Sequence, residues 1–143
     1  MQEHNYYNTI ITVAEDCPVS EAKVPQPRGA KKTMAQLQFE MLSDQPNVHT
    51  QEDVLFAVWR TRQGPEVVGE NLGEDELAAL RADFFAKGQP CLRASPLTKT
   101  HGWGVVFDAD GRAALCAMES DEYQAALEDS DITVLKAMRS KRA

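Results

Sequence analysis

The side chains most capable of chemistry lie in one stretch, Lys87-Gly88-Gln89-Pro90-Cys91-Leu92-Arg93-Ala94-Ser95-Pro96-Leu97-Thr98-Lys99-Thr100-His101-Gly102-Trp103-Gly104. It contains no Asp or Glu and is broken by Pro90 and Pro96. Arg93 and Lys99 can grip a carboxylate or phosphate, Arg in bidentate fashion. Ser95 and His101 add hydrogen-bonding groups, and Trp103 can wall an apolar pocket. Glycines on both sides of Trp103 allow a backbone or ligand to approach closely. A second reading makes Cys91 a nucleophile, its thiolate stabilised by Arg93, Lys99 or a protonated His101. Against it, free cysteine is among the most buried residue types, and Cys91 sits between Pro90 and Leu92. Ser95 lacks the GxSxG or SxxK surroundings of a serine nucleophile.

Other candidates are weaker. Cys17, Cys91 and Cys116 are odd in number and widely spaced, with no CxxC pair, so they read as reduced thiols. His4, His49 and His101 lie far from zinc-type ligand spacing, and Glu74-Asp75-Glu76 reads as a helix start, so no metal is expected. GxGxxG and GxxxxGK[ST] are both missing, and no cofactor is expected either.

These groups need a scaffold. Tyr7 to Ala14 reads as a strand, with Tyr7, Thr9, Ile11 and Val13 on one face. Glu15 to Lys32, punctuated by Pro18, Pro25, Pro27 and Gly29, reads as a long loop, a length that often signals function. Met34 to Leu42 fits either period; lacking β-branched residues, it is assigned as helix. Thr50 and Asp53 form a capping pair for a helix over Gln51 to Arg62, with Val54, Val58, Leu55 and Trp59 on its buried side. Gln63 to Gly73 reads as a loop. Glu74 to Lys87 follows as a helix with Leu77, Leu80, Phe84 and Phe85 on its apolar face and Gly88 at its end. The segment from Gln89 to Pro96 reads as coil. Trp103 to Phe107 and Arg112 to Met118 make a hairpin around Asp108-Ala109-Asp110-Gly111. Ser120 to Arg142 reads as two helical pieces broken at Asp129-Ser130. The expected fold is α+β, one domain over residues 1–143: a small antiparallel sheet, N-terminal strand plus hairpin, packed against three to five helices.

Composition agrees. A chain of 143 residues with 43% hydrophobic and 26% charged residues is an ordinary globular domain. There is no membrane-length apolar run and no secretory pattern, so the expected location is cytoplasmic. A net charge of −7 argues against a general nucleic-acid binder. Yet 11 of the 15 basic residues fall in three acid-free stretches, 22–39, 87–107 and 132–143. Lys31 and Lys32 sit in the first, Arg93 and Lys99 in the second. Such blocks can build a positive face or simply complement acidic helices.

Asn5-Tyr6-Tyr7-Asn8-Thr9, Val13-Ala14-Glu15-Asp16-Cys17-Pro18, Lys87 through Leu97, Gly102-Trp103-Gly104 and Met138-Arg139-Ser140-Lys141-Arg142 are similar to a family of small, mostly bacterial proteins known only as a domain of unknown function. The resemblance spans essentially the whole chain and implies one domain. It carries over no activity, cofactor or site residue. Two readings follow. In the first, the chain binds an anionic small molecule or an acidic protein surface through the 87–104 loop, with Arg93, Ser95, Lys99, His101, Trp103, Lys31 and Lys32 as contacts. In the alternative, it is a small enzyme using Cys91 with Arg93 and His101. The binding reading is favoured because no catalytic constellation has recognisable spacing. Oligomeric state is not legible.

Overall fold

A computed structural model describes residues 5–63, 73–87 and 91–138. Its order is β1 (Thr9–Thr12), α1 (Met34–Asp44), α2 (Gln51–Gln63), α3 (Glu74–Ala86), a 3-10 turn (Leu92–Ala94), α4 (Pro96–Lys99), β2 (Trp103–Phe107), β3 (Ala113–Ala117), α5 (Asp121–Glu128) and β4 (Thr133–Lys136). This is an α+β fold. The strand order is β3-β2-β1-β4, with β1 antiparallel to β2, β2 antiparallel to β3, and β1 parallel to β4.

Two expectations change. The sheet is mixed and four-stranded, because the second half of the tail is a strand and not a helix. Ile132-Thr133-Val134 is a β-branched run, which loses side-chain freedom in a helix and fits a pleated edge. The open side of β1 supplies that edge: Thr133 N–H donates to the Asn8 carbonyl at 2.8 Å, and Ala137 N–H to the Thr12 carbonyl at 3.0 Å. The coil over 91–96 is also more ordered than expected. It holds a 3-10 turn and leads into α4, where Ser95 caps by accepting from Leu97 N–H and Pro96 takes the first helical position. Within the hairpin, the turn residues behave as read: Asp108 Oδ1 accepts from the Asp110 and Arg112 amides, and Gly111 has φ of 79°.

The helices start where their caps place them. Thr33 and Gln36 form a reciprocal capping box for α1, and Thr50 and Asp53 do the same for α2. The core lies between the sheet and the α1–α2 pair. Ile11, Val105 and Phe107 point into it from the sheet, Leu42, Val54 and Val58 from the helices, and Leu92 and Leu97 from the turn. All four residues of β1 are buried, although alternation placed only one face inward. The opposite face, which carries Gly104, is covered by α5. Tyr123 of α5 lies so close that a Cβ on Gly104 would meet its ring at 2.8 Å, and the Tyr123 hydroxyl accepts from Val13 N–H at 3.0 Å.

α3 docks on α2 through aromatic rings. Phe84 lies 5.8 Å from Phe56 and 5.0 Å from Trp59, centroid to centroid. Arg81 lies 5.7 Å from the Phe56 and Phe85 rings and pairs with Glu52 and Asp53. The expected cap at Gly88 and nearly all of the 63–73 loop lie outside the described residues. No helix among the described residues is long and apolar enough to cross a membrane.

Candidate functional site

The segment 91–101 is fixed from below by buried polar groups that sequence reading overlooked. Gln51, 1% exposed, accepts from Leu92 N–H at 2.9 Å. Thr98, fully buried, donates to the Leu92 and Ser95 carbonyls at 3.0 and 3.1 Å. Ser95 donates its hydroxyl to Gln38 Oε1 on α1. These bonds satisfy backbone groups that an irregular segment would otherwise bury unpaired, and they hold Leu92 and Leu97 in the core. A signal was present: Gln38 lies four residues from both Met34 and Leu42, on the helix stripe that faces inward.

The fixed segment forms a wall between two concavities. On one side is an apolar cleft of about 300 Å³, lined by Met34, Gln38, Leu55, Val58, Trp59, Arg62, Phe84, Cys91, Ala94 and Ser95. On the other is a groove of about 490 Å³ between the 19–28 loop, the start of α1 and α4. Pro96, Thr100 and His101 line that groove, with Lys23, Arg28 and Thr33 facing them. Met34 belongs to both.

The long loop is tied to this wall. Lys23 N–H donates to the His101 carbonyl at 2.8 Å, and the Trp103 indole N–H donates to the Lys23 carbonyl at 2.9 Å. Gly102 allows the approach: its φ is +78°, and a Cβ there would meet the Glu21 carbonyl oxygen at 3.0 Å. On the far side, Arg93 donates through Nε to the Lys136 carbonyl at 2.7 Å and accepts Met138 N–H at its own carbonyl. All three acid-free stretches therefore meet around residues 91–103. Their charges divide. Lys23 pairs with Glu21, Lys32 with Glu40 and Lys136 with Glu15. Arg28, Lys31, Arg93 and Lys99 make no ion pair among the described residues.

The expected site residues do not gather in one place. His101 faces the groove, while Ser95 and Cys91 line the apolar cleft. Arg93 is turned toward β4, and Trp103 packs on Phe39 at 5.4 Å with its indole bonded to the loop. Lys31 and Lys32 are exposed, and Lys99 is half-buried outside both concavities. Cys91 and His101 thus open onto different spaces. The partner of Cys91 is Tyr6: burial, and then a hydrogen bond to Cys91, push the Tyr6 phenol up to about 12. Cys116 is a different thiol, buried on β3, where desolvation raises its pKa. All three cysteines are free. Among the described residues, no three His, Cys, Asp or Glu side chains group as metal ligands.

In the groove, His101 Nδ1 lies 2.9 Å from Thr100 Oγ1 and 3.0 Å from the Pro96 carbonyl. Thr100 directs its own hydroxyl proton to the same carbonyl. With that proton committed, Nδ1–H is the donor, which leaves Nε2 as the nitrogen available to a ligand.

A family model described as Family of unknown function (DUF6157) matches residues 1–143. The chain belongs to that family. No curated protein and no solved structure matches it.

Proposed function

We propose that the protein is a small-molecule binding protein whose groove beside His101 holds an anion. The observation that carries this reading is the groove's lining. Among the described residues that line it there is no Asp or Glu, and it brings Lys23 and Arg28 from one acid-free stretch against His101 from another. Arg28 has no competing carboxylate among the described residues, whereas Lys23 is shared with Glu21 at 2.9 Å. The groove also takes in Thr33, Met34 and Ala35, where α1 begins. The first-turn amides of a helix lack intrahelical partners and carry partial positive charge, which favours an anion beside them. Pro25 and Pro96 stiffen the two banks, lowering the ordering cost of binding.

The reading retains the anionic ligand expected from sequence and moves its contacts from Arg93 and Lys99 to Arg28, Lys23 and His101. Titration of the full chain with inorganic pyrophosphate, followed by amide NMR, tests it. Shifts are expected at Thr33 to Ala35, Arg28 and His101. Arg28→Ala should weaken binding about tenfold, the worth of one charge-assisted hydrogen bond, and His101→Ala should weaken it less, by removing an Nε2 that accepts from a protonated phosphate oxygen. Added salt should weaken it further, since Lys23 and Arg28 are exposed. Binding that is unchanged in the Arg28→Ala, His101→Ala double variant, or shifts elsewhere on the surface, would sink the reading.

A further inference from the structure

The second concavity supports a separate site, independent of the anion groove. We propose that the apolar cleft between α1, α2 and α3 binds an apolar small molecule with a neutral carbonyl at its buried end and a carboxylate at its outer end. The cleft's volume of about 300 Å³ reaches the range of small-molecule sites. Leu55 and Val58 form an aliphatic wall, and Trp59 and Phe84 form an aromatic corner. Those two rings lie 5.0 Å apart with planes inclined at 40°, a surface suited to a flat apolar body.

The polar end is set by Gln38. This residue is 2% exposed and lines the cleft. Its Oε1 accepts the Ser95 hydroxyl, while Ser95 Oγ accepts Leu97 N–H at 3.1 Å. The serine has one proton to give and gives it to Gln38, which fixes the amide's orientation and leaves Nε2 as a donor. Nε2 makes no hydrogen bond to any described residue. Every fully buried side-chain nitrogen or oxygen among the described residues has a partner, so Nε2 must open on the cleft. An amide donor that opens on an apolar cleft offers a ligand's acceptor atom one directed contact, in place of the water that otherwise meets it.

Charge sorts the two ends of the ligand. The described lining residues around Gln38, namely Met34, Ala94 and Ser95, carry no charge, so a carboxylate buried beside them would lack a counter-charge and the inner acceptor is neutral. Arg62 is the charged residue that lines the cleft, and it is exposed on the last turn of α2. It makes no ion pair among the described residues. An acid at the outer end meets it in water, where the attraction is modest but selective.

The probe is 4-oxo-4-phenylbutanoate, which carries a ring, a ketone and a carboxylate, titrated into the full chain and followed by NMR. The Gln38 side-chain amide pair should move together with the Leu55 and Val58 methyl signals. The analogue without the ketone, 4-phenylbutanoate, should bind about fivefold more weakly, the worth of one neutral hydrogen bond. Arg62→Ala, an exposed change, should weaken the acid two- to fivefold and leave the uncharged ketone butyrophenone unaffected. Arg28→Ala should change none of these, which separates this site from the groove. The proposal is overturned if neither acid binds, if the Gln38 amide stays still while the probe binds, if the two acids bind equally, or if shifts confine themselves to the groove.

Discussion

Single residues here often do two jobs, one in folding and one at a surface. Ser95 caps α4 and orients Gln38; Gln38 holds Ser95 and keeps a donor facing the cleft. Asp53 closes the α2 capping box with Thr50 and pairs with Arg81 at 3.0 Å, which ties α3 to α2. Burial works against its charge, but the bonds from Thr50 and Arg81 outweigh that and hold its pKa below the usual 3.8. A carboxylate whose folded pKa is depressed stabilises the fold above the unfolded value and loses that contribution as pH falls through the folded one. Asp53→Asn should therefore cost about 0.5–1 kcal/mol near neutral pH, the range of caps and surface pairs. Urea denaturation of both proteins should converge as the pH drops below 3.8 and the native carboxyl is protonated. A gap that persisted at pH 2 would mean the loss is steric.

At the scale of elements, the Gly102-Trp103-Gly104 sequence shows what two glycines can position. Gly102 lets the 21–22 backbone approach, and Gly104 lets the Tyr123 ring pack close against β2. Between them, Trp103 bonds the long loop. Gly104→Ala should lower stability by about 1–3 kcal/mol through overpacking, since ring carbons at 2.8 and 3.0 Å would have to shift. Thermal unfolding of Gly104→Ala with and without Tyr123→Ala would check it. Trimming the ring should recover part of the loss if the clash is the cause, and none if β2 itself is disturbed.

For the whole molecule, the deciding element is β4. Thr133 and Ala137 turn their amides toward β1, so the two-residue period puts Leu135 N–H in the ladder and Val134 N–H outward. Proline at an outward edge position is tolerated, whereas proline at a bonded one removes a ladder bond. Val134→Pro should accordingly be mild and Leu135→Pro should cost about 2–3 kcal/mol or more. Chemical denaturation of the two variants distinguishes a strand from the helix expected at first, in which both prolines would be equally damaging.

Much of the fold was legible because it is encoded locally. Thr50-x-x-Asp53 marks the start of α2, Asp108 to Gly111 marks the hairpin turn, and the spacing of Val54 and Val58 marks a buried helix face. These signals act through hydrogen bonds and side-chain periods within a few residues. The tail was misread because the β-branched run gains its strand from an edge more than a hundred residues away in the chain. The chemical content of the 87–104 stretch was legible in the same way: its acid-free composition and its Gly and Pro residues are fixed by sequence. Which of its side chains share a space was not. A 3-10 turn and α4 rotate Cys91 and Ser95 to one side and His101 to the other, and the buried Gln38, Gln51 and Thr98 that lock this rotation come from three different elements. Sequence determined the inventory of groups and the elements that carry them. Tertiary structure sent Cys91 and Ser95 to one concavity and His101 to another and left Arg93, Lys99 and Trp103 outside both, because side-chain direction follows from long-range burial and hydrogen bonding that no local pattern contains.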